Sequence, residues 1–518
     1  MELPVRFQPA PALLFCEEAI VKKPDILIFM SDQHAGRIMG HAGADVDTPN
    51  LDDLMRCGAS FDNAYTPCPL CVPARMSFVS GLSASRTGIM VNADTLPDTT
   101  PTFLHAMVAA GYETVLIGRM HFVGSEQRHG FTRRLALDFT PTTWKRPAEL
   151  LASFRGEHAV PVYFAALDKG LGGGESCVTY YDRMVTEKAL EYLSQSHEKP
   201  QCIVVGTYGP HFPYTAPKEI YQKYKRRLSL YPDFREWQEE FGDFIYHRNL
   251  EASDEKALEA MAAYYALIET ADGQIGAVRS AFREMTERAG RERVFVYTSD
   301  HGDMNGRKGM YGKYVMLDDS ARIPLLVEGD GIPALRRVRD NVSLLDLAPT
   351  VCEMGGAQPF DEFDGISLSK YFEDEYQPDT ERIVVSEIYD TMVPHAYRYK
   401  PFLPEAQAQA VHEYGVMLRK GPFKYIRYTT EDGRSTEMLY DMEHDPMESR
   451  SVLAEHPALA AELRAYAGSV NTVEAVAAQQ ALRARNARLF TAYDAAVGNE
   501  QGEMWTGNPP EGRLAPEP

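Results

Sequence analysis

Cys71 lies three residues after Cys68, so Cys68-Pro69-Leu70-Cys71 has the spacing of a redox pair or of half a zinc site. No second CxxC and no close histidine pair completes a zinc site, and a simple buried pair is the third possibility. The sequel is more specific: Pro73, Arg75, a helix-compatible Met76 to Val79, then Ser80-Gly81. This predicts Cys71 at the N-terminus of a helix, where aligned amide dipoles favour an anion. Two carboxylates join it as candidates. Asp32 and Asp300 each follow an apolar run, a costly place for a charge unless a cation or a partner compensates. Each is followed by a second ligand type, Gln33 and His301.

The elements that must position these residues share one design. Ile26-Leu27-Ile28-Phe29-Met30 leads into Ser31-Asp32-Gln33, and Val294-Phe295-Val296-Tyr297 leads into Thr298-Ser299-Asp300-His301. Thr114-Val115-Leu116-Ile117 leads to Arg119 and His121, and Cys202-Ile203-Val204-Val205 leads to His211. Unbroken rather than alternating hydrophobicity fits strands buried on both faces, as in a parallel sheet covered by helices. Ligands of such sheets sit outside the carboxyl ends of the strands.

Thr48-Pro49 and Thr100-Pro101 read as N-caps followed by proline, opening helices that end near Gly58 and Gly111. An Ala-rich pattern from Ser253 to about Met285 precedes the Val294 strand. The alternation predicts an α/β doubly wound, largely parallel sheet flanked by helices over residues 23–380. From 381 to 497 the texture changes to a smaller C-terminal α+β subdomain. Its small antiparallel sheet uses Ile383-Val384-Val385, Tyr414 to Leu418 and Phe423 to Tyr428, and a helix runs from Pro457 to about Val497. Residues 1–22 read as an N-terminal extension and 498–518 as a loose tail. The irregular stretch from Arg128 to Cys177 reads as a substrate-facing insertion.

Cys71 to Gly81 resembles the signature of the formylglycine-dependent (type I) sulfatases of the alkaline phosphatase superfamily, Cys-x-Pro-x-Arg followed by a helix and Gly. The resemblance runs from about Pro24 to Pro446. It takes in Asp32-Gln33, Asp300-His301, Gly118 to His121, Pro210-His211, and Leu439-Tyr440-Asp441 with Asp445-Pro446. The Asp-Gln and Asp-His pairs resemble the choline sulfatase and phosphonate monoester hydrolase branch, as does Met120-His121-Phe122-Val123-Gly124.

This resemblance implies an alkaline-phosphatase-like fold. It implies one divalent cation held by Asp32, Gln33, Asp300, His301 and the modified Cys71 side chain. Ca²⁺ is the first expectation, and the imidazole makes Mn²⁺ or Zn²⁺ competitors. A formylglycine-generating maturation enzyme would oxidise Cys71 to 3-oxoalanine, an aldehyde that hydrates to a geminal diol. One hydroxyl attacks sulfur, and loss of the proton from the other expels sulfate. By matching position, Arg75 helps to acidify the attacking hydroxyl, Asp300 takes its proton and His121 hydrogen-bonds the diol. His211 and Lys313 contact sulfate and protonate the leaving oxygen. Arg119 stands where the family usually has Lys. It keeps the charge and offers a fork suited to sulfate, but it is a poor acid, which moves that duty to His211 or Lys313.

Composition narrows the partners. With 74 acidic against 53 basic residues, the net charge of -21 repels nucleic acid and anionic membranes. An anionic substrate therefore needs a local basic pocket, which favours a small one. No eighteen apolar residues run together and the first residues lack a secretory pattern. Seven scattered cysteines form no disulfide framework, so a reducing cytoplasm is expected. The expected activity is hydrolysis of a small sulfate ester such as choline, aryl or sugar sulfate. The alternatives are a phosphonate monoester or phosphodiester hydrolase on the same site, and a binding protein with unmodified Cys71. Trp144, Trp237 and Trp505 are the only tryptophans available for a quaternary ammonium cage. The size and the tail are compatible with a homo-oligomer.

Overall fold

Strands with two apolar faces need cover on both sides, and the chain supplies it. The computed structural model describes residues 23–136, 138, 171–236, 252–359, 362–389, 412–430 and 433–472, except 93 and 125, with isolated positions up to 485. Eight strands form the main sheet: β1 (Asp25–Asp32), β2 (Ala59–Tyr65), β3 (Glu113–Gly118), β4 (Arg133–Leu135), β5 (Gln201–Pro210), β6 (Arg293–Ser299), β7 (Leu325–Gly329) and β8 (Arg336–Ser343). Their order is β8-β2-β7-β6-β1-β5-β3-β4. Only β7 runs against its two neighbours, so the sheet is largely parallel, as expected.

Alternation along β1 divides its side chains between two cores. Ile26, Ile28 and Met30 pack with residues of the Cys71–Ser80 and Phe103–Ala109 helices. Leu27 and Phe29 pack on the opposite face with the Cys177–Leu193 and Asp254–Ala289 helices. All of β1 is buried, which is why its sequence carries no polar stripe.

Local signals explain the helix ends. Cys71–Ser80 stops at Gly81, whose N–H bonds Ser77 O at φ +71; a Cβ there would lie 2.2 Å from the Phe363 ring. The second proline-marked start is corrected. That helix begins at Phe103, not after Thr100, because Thr102 and His105 satisfy each other's backbone N–H in a capping box. The long helix Asp254–Ala289 opens on Ser253, whose hydroxyl accepts from Lys256 N, and closes on Gly290. The C-terminal helix spans Pro457–Val470, and the single helix expected to about Val497 is corrected: the backbone is extended at Asn471, which breaks it, and most positions beyond Thr472 lie outside the described residues.

A second sheet, β9 (Ile383–Tyr389), β10 (His412–Lys420), β11 (Phe423–Thr430) and β12 (Ser435–Asp441), is antiparallel and follows chain order. It buries one core with Tyr65 and Leu70 and with Met310, Val315 and Leu317. The small sheet therefore braces the segment that carries Lys313. The N-terminal extension, the tail and all three tryptophans lie outside the described residues.

Candidate active site

Adjacent parallel strands deliver the two acids side by side. Ser31 on β1 is in register with Ser299 on β6, so Asp32 and Asp300 emerge together at the carboxyl edge. Cys71 is the first residue of its helix and is buried. Its Sγ lies 3.7 Å from Asp32 Oδ1 and 3.2 Å from His301 Nε2, and Lys313 Nζ donates to it at 3.0 Å. One ligand atom from each of Asp32, Cys71, Asp300 and His301 falls within 4.8 Å of the others. Gln33 adds its Oε1, which accepts from Lys313 Nζ at 2.9 Å. Its Nε2 donates to Asp303 at 2.6 Å, so Asp303 decides which end of the amide faces the cluster.

The basic groups interlock with these acids. Arg75 bridges them, with Nε 2.7 Å from Asp300 Oδ2 and Nη2 3.3 Å from Asp32 Oδ2. Arg119 Nε donates to Asp32 Oδ2 at 2.7 Å, while its Nη1 faces Asp138 at 3.2 Å and its Nη2 meets His121 Nδ1 at 2.7 Å. Its guanidinium carbon also sits 3.8 Å from the centre of the Tyr208 ring. This holds Arg119 behind Asp32, with its donors engaged by protein groups. His211 Nδ1 donates to Phe212 O at 2.6 Å, and its ring is near enough to Cys71 to feel its charge.

Burial and charge set the protonation states. Burial would raise the Asp32 carboxyl, but Arg119, His211, Lys313 and Arg75 outweigh it and hold it well below the usual range. Burial pushes His301 down to about 4, with Lys313 adding to the effect. Its Nδ1 is tied to Gly302 O at 3.0 Å, so a neutral imidazole presents Nε2 to the carboxylates. Burial and then Lys313 lower His211. Burial opposes the charge of Lys313, but Cys71, Asp32 and Asp300 raise its pKa. Burial followed by Arg119 keeps His121 well below its ordinary value.

Two carboxylates, a neutral imidazole and an amide oxygen suit a divalent cation, and residue 71 completes the set. The structure brings all ten residues nominated from sequence to one end of the sheet. Sequence reasoning missed their supports. Asp303 also accepts from Tyr214 OH at 2.8 Å and from the Asn305 and Gly312 amides at 2.8 and 2.7 Å. Asp138 accepts from Arg119 and from His121 N at 2.9 Å. Asp303 was visible beside His301, whereas no spacing signal marks Asp138.

Residues 24–357 match the family described as Sulfatase, and residues 306–466 match one described as N-sulphoglucosamine sulphohydrolase, C-terminal. Over 509 residues the chain is 31% identical to a choline-sulfatase of Rhizobium meliloti, covering 93% of this chain and 90% of that protein. It is 26% identical to arylsulfatase K of Mus musculus, covering 96% of this chain and 88% of the relative. Its fold is similar to that of the phosphonate monoester hydrolase of Agrobacterium radiobacter, with TM-score 0.67 and 22% identity over 88% of this chain and 96% of the other.

Proposed function

The chain belongs to the sulfatase family, and we propose that it hydrolyses a small sulfate ester to an alcohol and inorganic sulfate, using a formylglycine made from Cys71 and one divalent cation. The observation that carries this reading is the convergence of Asp32, Asp300 and His301 on a buried Cys71 at a helix N-terminus. The cation, Ca²⁺ first with Mn²⁺ or Zn²⁺ as alternatives, would be held by Asp32, Gln33, Asp300, His301 and residue 71, and would stabilise developing negative charge. Formylglycine supplies a geminal diol, one hydroxyl to attack sulfur and the other to release sulfate.

The chain's own groups do the rest. Asp300, with Oδ2 held by Arg75, takes the proton of the attacking hydroxyl. Arg75 links both acids and keeps positive charge beside the helix N-terminus. Lys313 remains cationic, and it and His211 would contact the sulfate oxygens and protonate the leaving oxygen. Arg119 and His121 hold the far side of Asp32. A small substrate fits a chain of net charge -21 that gathers buried Arg75, Arg119 and Lys313 here. Formylglycine requires a maturation enzyme in the same compartment.

The test uses protein whose Cys71 conversion is confirmed by mass spectrometry. Sulfate release is compared on choline, aryl and sugar sulfates, with an aryl phosphonate alongside. The expected result is faster turnover of at least one sulfate than of the phosphonate. Faster phosphonate cleavage assigns the site to the alternative hydrolase, and full activity with unconverted Cys71 removes the formylglycine. Elemental analysis without added metal that finds calcium alone removes Mn²⁺ and Zn²⁺.

A further inference from the structure

Backbone amides at a strand end lose their partners when the neighbouring strand stops short. β3 leaves β5 at Gly118, in register with Gly206, and β5 continues to Pro210. The next amides on β5 are taken by a side chain from another layer. Tyr208 N donates to Asp182 Oδ1 and Gly209 N to Asp182 Oδ2, both at 2.6 Å. Asp182 lies in the Cys177–Leu193 helix and is 4% exposed. The fit is close from the other side too, since a Cβ on Gly209 would stand 2.7 Å from Asp182 Oδ2.

What this carboxylate grips is the turn that supports the basic half of the site. The Tyr208 ring lies 3.8 Å from the Arg119 guanidinium carbon, and its centre is 5.5 Å from that of His211, edge on. Tyr208 O accepts from His211 N at 3.0 Å. Displacing two consecutive amides would therefore move the face on which Arg119 rests and the backbone that aims His211. None of the groups assigned to the reaction touches this carboxylate through a side-chain hydrogen bond among the described residues, so its effect on them passes through the backbone.

We infer that Asp182 is a positioning residue of the reaction: ionised, it clamps the Tyr208-Gly209 amides, aims His211 at residue 71 and seats Arg119 behind Asp32, and protonated, it releases them. Protonation turns one acceptor oxygen into a hydroxyl, a weaker acceptor, and removes the charge that strengthens both bonds. The groups around it are Arg119 and Asp32 from the ends of β3 and β1, Tyr208 on β5, and Tyr181 and Cys177 on its own helix. Burial raises its carboxyl to about 7, although both amides and Arg119 pull it down. Loosening thus falls in the neutral range.

The inference takes its assay from the sulfatase reading, and its test keeps the two apart. The pH dependence of kcat and KM for a sulfate ester is compared in the converted wild-type protein and in Asp182→Asn, which keeps the shape but loses the charge and one acceptor. The expected wild-type profile has an acid limb near the Asp182 titration. The variant loses about tenfold in kcat above that limb, with a smaller change in KM, and equals wild type below it. A limb unchanged in the variant, or a loss of equal size at every pH, overturns the inference. Should the asparagine variant not fold, Gly209→Ala crowds Oδ2 while keeping the carboxylate, and an unmoved limb there overturns it as well. Inorganic sulfate binding by calorimetry reads the same limb without turnover. Sulfate binding with the limb but no hydrolysis sinks the sulfatase activity and leaves the clamp; binding without the limb sinks the clamp.

Discussion

Two clusters of buried charge lie close together along the chain and do different work. At the strand ends, Asp32 and Asp300 face Arg75, Arg119 and Lys313. Just beyond Lys313, Asp318 joins the large domain to the small sheet. Lys424 Nζ lies 2.8 Å from Asp318 and 2.7 Å from Glu448, and Glu448 accepts from Asp318 N at 2.8 Å. Tyr65 OH donates to Asp318 at 3.1 Å, with Arg322 at 3.5 Å and Arg37 at 3.8 Å. Burial raises the Asp318 carboxyl, but Lys424, Arg322 and Arg37 outweigh it and hold it well below the usual range.

Both clusters are buried and both shift pKa values, so neither property marks a catalytic centre by itself. The difference is where the donor atoms point. In the joint, acids and bases close on one another. In the site, a thiol, a neutral imidazole and two carboxylates converge within 4.8 Å. Convergence on one point, rather than burial, distinguishes a reaction centre from a fastening.

The comparison can be broken in either cluster. The largest effect is expected for Cys71→Ala, which should lower sulfate release by roughly 10⁴-fold or more while changing stability by only about 1 kcal/mol. Steady-state turnover and the urea midpoint check the two halves. Lys424→Met should do the reverse. It leaves Asp318 and Glu448 buried without their shared cation, a loss of about 3–5 kcal/mol in urea unfolding, with turnover per folded molecule within about threefold of wild type. Adding Glu448→Gln should return part of that stability. A Lys424→Met protein that is stable but inactive would show that the joint belongs to the chemistry.

How far the two clusters can be read from sequence also differs. Asp32 and Asp300 are legible because each ends an unbroken apolar run, and Cys71 because proline, arginine and glycine punctuate its helix. The joint is not. Lys424 interrupts the strand Phe423-Lys424-Tyr425 and reads as a solvent-facing charge, yet it is fully buried, because Asp318 and Glu448 reach it from other segments. Asp182 is hidden for the same reason, since its partners are main-chain amides of another element and leave no side-chain pattern. The parallel sheet follows from doubly apolar strands, but the reversed direction of β7 does not, because Leu325-Leu326-Val327 looks alike in either sense. Helix starts are legible only to within a turn, as Thr102 capping in place of Thr100 illustrates.

The smallest effect should come from Arg450, two residues beyond Glu448. Its guanidinium pairs with Glu455, the same chemistry as in the joint, but the side chains are 67% and 52% exposed. Water already solvates both charges, and salt screens what attraction remains. Arg450→Ala should therefore leave the urea midpoint and turnover unchanged, at low and at high salt alike. A midpoint shift approaching that of Lys424→Met would mean that pairing itself, and not the desolvation of the groups left behind, stabilises this part of the chain. Equality of the two variants would remove the physical basis on which the joint was set apart from the surface.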